Sequence, residues 1–137
     1  KMKLTFVDAS VLIAAARGKD EIASKAFEIL DDPNRQFFSS DFLKLEVLPK
    51  AVYFHNETEK EFYNTFFDAI AMWENISDEL VENAFNEACK AGISAIDALH
   101  ISMTKAAKAD EFITAEKDTK PFFRVSDIAI TTIRPPA

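Results

Sequence analysis

Glycine is almost missing from this chain: Gly18 and Gly92 are the only two in 137 residues. A P-loop or a dinucleotide fingerprint needs several glycines so that backbone amides can approach a phosphate, and neither residue belongs to such a loop. A nucleotide cofactor is therefore excluded. Cysteine is scarcer still. With Cys89 alone no intrachain disulfide can form, which fits a reducing compartment. Its spacing to Val81, Ala84 and Phe85 in NAFNEACKAG predicts a buried thiol on a helix face. No apolar run approaches the roughly 20 residues of a membrane-crossing helix, and no signal-peptide pattern stands at the start, so a soluble cytoplasmic protein is expected. Lys1 precedes Met2 and is expected to be foreign to the native chain.

Positive charge is also in short supply. Sixteen Lys and Arg face 23 Asp and Glu, for a net charge of -7 and a pI near 4.8. That balance argues against a broad basic surface of the kind that displaces counterions from nucleic-acid phosphates. It does not exclude nucleic acid, because divalent cations held by several carboxylates reverse the charge locally.

What is present is apolar. A hydrophobic content of 48% and a single-domain length predict one globular domain over residues 1–137, with the 13 Phe residues serving as core. Periodicity predicts a strand over Leu4–Val7, a helix from the VLIAAA run to about Arg17, and a helix over Glu21–Leu30 that Pro33 ends. A short strand, Gln36–Ser39, follows. Helical spacing resumes over Asp41–Val52, where Pro49 should kink or divide the helix. Further helices are predicted over Thr58–Trp73, over Asp78–Ala91 with Ser77 as N-cap and Gly92 as stop, and after Ser94. Strands at Phe112–Ala115 and Ile128–Ile133 complete the alternation, and only the terminal RPPA looks loosely held. The expected fold class is α/β: a mainly parallel central sheet flanked by helices on both faces, with its ligand site beyond the carboxyl ends of the strands.

Four separated acids point toward that rim. Asp8 closes the first strand in LTFVDAS, where it could cap the next helix, and Ser10 two positions on could orient its carboxylate or a metal-bound water. Asp97 in ISAIDALH stands three residues after Ser94, the spacing of a capping box. Glu46 lies between Leu45 and Val47 in an apolar helical stretch, where an unpaired carboxylate costs several kcal/mol. A metal would supply its partner, and so would Lys50 one turn on. Glu116 follows Thr114 in FITAEKD, with Asp118 close behind, and either could be an ordinary turn residue. His100 is expected to be a hydrogen-bonded structural histidine. With few His and Cys in reach a zinc site lacks its usual ligands, whereas carboxylates alone favour Mg²⁺ or Mn²⁺.

Taken in order, VDAS, the Glu of SSDFLKLEVLPK, the Asp of AIDALHIS and the FITAEKD segment resemble a PIN domain, the metal-dependent ribonuclease fold of VapC-like toxins and other RNA-processing proteins. The resemblance covers nearly the whole chain. It implies hydrolysis of RNA phosphodiester bonds, with Mg²⁺ or Mn²⁺ held by Asp8, Glu46, Asp97 and Glu116. Ser10 and Thr114 would orient these ligands. The family usually has Asp at the fourth position, so Glu116 is a departure and Asp118 its nearest substitute. The resemblance also implies an antitoxin partner and a homodimer, for which the Phe-rich helices of Thr58–Ala91 could supply an interface. Lys117, Lys120 and Arg124 could contact phosphate or form an exposed solubilising run. Two other readings stand beside it: a PIN-like partner-binding module without nuclease activity, and a receiver-like phosphorylation domain, which lacks an acid at the end of its mid-chain strand QFFSS.

Overall fold

Apolar strands too short to stand alone and helices with one apolar side must bury each other, and here a pair of helices separates each of the first three strands from the next. The computed structural model describes residues 2–136; Lys1 and Ala137, the end of the RPPA tail, lie outside them. The strands are β1 (Lys3–Val7), β2 (Arg35–Ser39), β3 (Met72–Trp73), β4 (Glu111–Thr114) and β5 (Ile130–Thr132). The helices are α1 (Ala9–Arg17), α2 (Glu21–Leu30), α3 (Asp41–Tyr53), α4 (Glu57–Asp68), α5 (Asp78–Ala91) and α6 (Ala95–Ala106). All strands run parallel in the order β3-β2-β1-β4-β5. The chain leaves β1 in one direction through β2 and β3, then returns to β1's other side with β4. The switch point thus lies between β1 and β4.

Central strands of such a sheet are covered on both faces. Thr5, Phe6 and Val7 of β1 and all of β4 are accordingly buried. Phe6 is the hub: its ring centroid lies 5.4 Å from Phe38, 5.1 Å from Phe112 and 5.0 Å from His100. It ties three strands to α6. At the amino-terminal rim, Glu111 accepts from Thr5 Oγ1 at 2.6 Å and Arg35 Nε at 2.7 Å. Burial alone would raise the Glu111 carboxyl, but those hydrogen bonds and the charges of Arg35 and Lys3 outweigh it and hold it below the usual range.

Three expectations need correction. The helix predicted over Thr58–Trp73 ends at Asp68, because Ala71 N donates to Phe37 O and Glu74 N to Ser39 O. Those bonds draw Met72–Trp73 onto the sheet edge as β3, a second mid-chain strand too short to show alternation. Helix α3 runs unbroken through Pro49. The bond Pro49 cannot make would have gone to the carbonyl of Leu45, a residue 67% exposed, where water can take its place. Cys89 is exposed. Helix α5 carries two apolar stripes, and it buries the one with small residues, Leu80, Ala84 and Ala91, leaving Val81, Phe85 and Cys89 outside.

Phe6→Ala should destabilise the fold by ~3–5 kcal/mol, read from denaturant unfolding, because it opens a cavity under three elements at once. A loss below ~1 kcal/mol would mean that Phe6 is not the hub.

Candidate metal centre

The acids reach the carboxyl-terminal rim by separate routes. Asp8 ends β1, and its carboxylate caps α1: Oδ1 accepts from Ser10 N at 3.0 Å, Ser10 Oγ at 2.5 Å and Val11 N at 3.4 Å. Oδ2 accepts from Thr114 Oγ1 at 2.6 Å. Each hydroxyl also accepts a backbone amide from the end of β4, Ser10 from Ala115 at 2.8 Å and Thr114 from Glu116 at 3.0 Å. With both hydroxyl protons given to Asp8, the 3.2 Å approach of Ser10 Oγ to Thr114 Oγ1 is a contact between acceptors. A carboxylate offers about four lone-pair sites. One on Oδ2 is left.

Ser40 caps α3 and sets Glu46 in its second turn. Glu46 is partly exposed, and its hydrogen-bond partner is His100, with Nε2 and Oε1 2.5 Å apart. The side chain that pairs with Glu46 is thus neither Lys50 nor a second acid but His100 of α6, the histidine expected to be hydrogen-bonded. His100 is itself buried, and its Nδ1 has no hydrogen-bond partner. Ser94 caps α6 by accepting from Asp97 N at 3.4 Å. The reciprocal half of a capping box is not made among the described residues, which leaves the Asp97 carboxylate free. Its nearest cation is Lys120 Nζ at 4.0 Å.

Asp8, Glu46, Asp97 and Glu116 all line one cleft of about 140 Å³, together with His100 and Lys120. Asp118 is exposed and does not line it. Of the other two basic residues suspected of phosphate contact, Arg124 donates to Ala91 O at the end of α5, and Lys117 is exposed outside the cleft. The sequence reading missed the Glu46–His100 pair. Its signal was present in the regular placement of Glu46 and His100 on two helices, but which helices meet is not written in either.

Four acids are buried: Asp8, Glu59, Glu87 and Glu111. Glu59 is paired with Arg17, Glu87 with Lys105 and Glu111 with Arg35. Asp8 has no basic side chain in contact among the described residues. Burial pushes its carboxyl up to about 6, against the opposing pull of the Ser10 and Thr114 hydrogen bonds and of His100. The donor chemistry, carboxylate oxygens with one lysine among them, fits a hard divalent cation. The side chains as they stand are not gathered round one point: among the described residues no three are placed to hold an ion together. Glu46 is engaged by His100.

Sequence and structure comparisons agree with this architecture. The PIN domain family model matches residues 5–127, and the chain belongs to that family. No curated protein matches it. Among solved structures it is similar to VapBC2 from Rickettsia felis bound to a DNA fragment from its promoter, with a TM-score of 0.72 and 15% identity over 96% of this chain and 99% of that one. A toxin-antitoxin complex from Klebsiella pneumoniae gives 0.71 and 19% over 93% and 96%. DNA-bound VapBC from Salmonella typhimurium gives 0.69 and 14% over 96% and 98%. At these identities the likeness is one of fold.

A carboxyl raised from 3.8 to about 6 by folding destabilises the native state wherever it must be charged. The metal-free protein should lose stability as pH rises through that interval, by on the order of 3 kcal/mol. Asp8→Asn keeps the acceptor for the Ser10 and Val11 amides and can donate to Thr114 Oγ1. In EDTA it should melt above the wild type near neutral pH, with the gap closing below about pH 4. A variant that melts lower at neutral pH would contradict this.

Proposed function

We propose that the chain is a metal-dependent endoribonuclease in which Asp8, Glu46, Asp97 and Glu116 hold one or two Mg²⁺ or Mn²⁺ ions. The observation that carries this is Asp8, the one buried acid without a basic partner among the described residues, in a cleft lined by three further carboxylates. A fold stabilised only by packing would neutralise such a group, as it does Glu59, Glu87 and Glu111. A buried carboxylate with a raised pKa and no cation beside it, placed in a cleft, is a functional-site candidate.

Bound Mg²⁺ or Mn²⁺ would activate a water for attack on a phosphodiester and offset the charge on the phosphate and leaving oxygen. The chain's own part is to position the ligands. Ser10 and Thr114 fix the Asp8 carboxylate and leave one lone pair of Oδ2 for the ion, while Asp97 needs no rearrangement of hydrogen bonds to contribute. Glu46 must leave His100 to join them, so His100 sets how readily the third carboxylate is released. Lys120 stands beside Asp97 where a phosphate would enter. Glu116 takes the fourth position, since Asp118 does not reach the cleft.

Similarity to toxin-antitoxin structures supports an antitoxin peptide as partner, and an apolar pocket of about 470 Å³ between α2 and α4, lined by Phe27, Phe62 and Phe66, offers it a seat. Leu45, Val52 and Tyr53 of α3 and Phe85 of α5 are exposed and would serve a homodimer. The single exposed Cys89 fits a cytoplasmic setting. A second reading is a PIN-like binding module without nuclease activity, favoured by the Glu46–His100 pair that holds one ligand away from the rest.

RNA cleavage should require added Mg²⁺ or Mn²⁺ and stop in EDTA. Asp97→Asn should lower it by at least about 100-fold, and Ser10→Ala by roughly 10–100-fold, the usual loss for a residue that orients a ligand. Cleavage that survives Asp97→Asn unchanged would sink the site, and a folded wild type inert on all RNA would favour the binding module.

A further inference from the structure

A groove of about 800 Å³ runs alongside the acid cleft and shares Ser10, Glu46 and Glu116 with it. Its cations are Arg17, Lys19, Lys50 and Arg134. The groove also carries three acids, Asp20, Glu46 and Glu116, so its charge is close to balanced and a polyanion would be held by particular cations rather than by the field of the whole groove. The cations are not equivalent. Arg134 Nε donates to Ala115 O, which anchors the end of the chain, and Lys19 and Lys50 are exposed side chains without an ion pair among the described residues.

Arg17 is built differently. Its Nε donates to Glu59 Oε1 and Oε2 at 3.1 Å each. Glu59 is buried and held in turn by Tyr63 Oη at 2.8 Å and Asn56 Nδ2 at 2.5 Å. Burial and the Glu59 hydrogen bond push the Tyr63 phenol well above its ordinary range, so it remains a donor. The Nε edge of the guanidinium is thus fixed from beneath. Nη1 and Nη2 make no hydrogen bond among the described residues, and the side chain is 61% exposed. A planar cation fixed at one edge and bare at the other loses little entropy on gripping a phosphate in two-point fashion.

We infer that Arg17 is a phosphate-binding residue for the RNA backbone beside the acid cleft, with Glu59 as the positioning residue that aims it. The identity of the polymer rests on the ribonuclease reading. The test is fluorescence anisotropy of a fluorescein-labelled single-stranded RNA oligonucleotide titrated with the full chain, in EDTA and again in Mg²⁺, over a range of salt. Arg17→Gln should weaken binding about tenfold and flatten the slope of log K against log salt by roughly 0.7, the share of one phosphate contact. Arg17→Lys should restore the slope but not the affinity, because an ammonium lacks the two-point edge. Lys90→Gln, which lines neither cleft, should bind as wild type.

If Arg17→Gln fails to fold because Glu59 is left bare, Arg17→Lys carries the test through its affinity. Wild-type affinity in the folded Arg17 variant, or no RNA binding by the wild type in either buffer, overturns the assignment. The two readings fail separately. Binding with the Arg17 signature by a protein that cleaves no RNA defeats the ribonuclease and leaves the groove standing. Cleavage by a protein whose Arg17→Gln variant binds normally does the reverse.

Discussion

The hydrogen bonds around the Asp8 carboxylate are the joint on which this structure turns. They end β1, start α1 and fasten both to the end of β4 through two hydroxyls. That is the switch point of the sheet, where strand connections diverge and a crevice must open. The fold therefore makes its central seam and one wall of its acid cleft from the same group. The contrast with Glu111 at the opposite rim is instructive. There a buried carboxylate is paired with Arg35.

Charge on this protein is segregated rather than absent. A net excess of acid coexists with a groove of four cations abutting the acidic cleft. Two divalent ions would offset the four carboxylates of the cleft, two of which also line the groove, and leave the groove's cations in excess as a basic track. Helix α4 contributes to that track only indirectly, since Asn56, Glu59 and Tyr63 act on Arg17 from below.

Much of this was readable in the sequence, for identifiable reasons. The order of strands and helices follows from hydrophobic period and caps, and the expected Ser77 and Ser94 cap α5 and α6 in the structure. The four acids line one cleft because each sits at a strand end or on a helix, within two turns of a cap, that feeds the same rim. What could not be read were choices made by tertiary packing. Helix α5 had two plausible apolar stripes, and only contact with α6 decides that Cys89 faces out. The two residues of β3 acquire strand character only from β2. The partner of Glu46 was open between a metal and Lys50, and the structure supplies a third answer, His100, from a helix 54 residues away in sequence.

The most direct measurement is a crystal structure of the protein soaked in Mn²⁺, with the anomalous signal used to place the ion. The account predicts Mn²⁺ in the acid cleft, touching Asp8 Oδ2 and Asp97, with Glu46 turned from His100 toward the ion. Manganese bound elsewhere, or a cleft that stays empty at saturating Mn²⁺ with Glu46 still on His100, would contradict it.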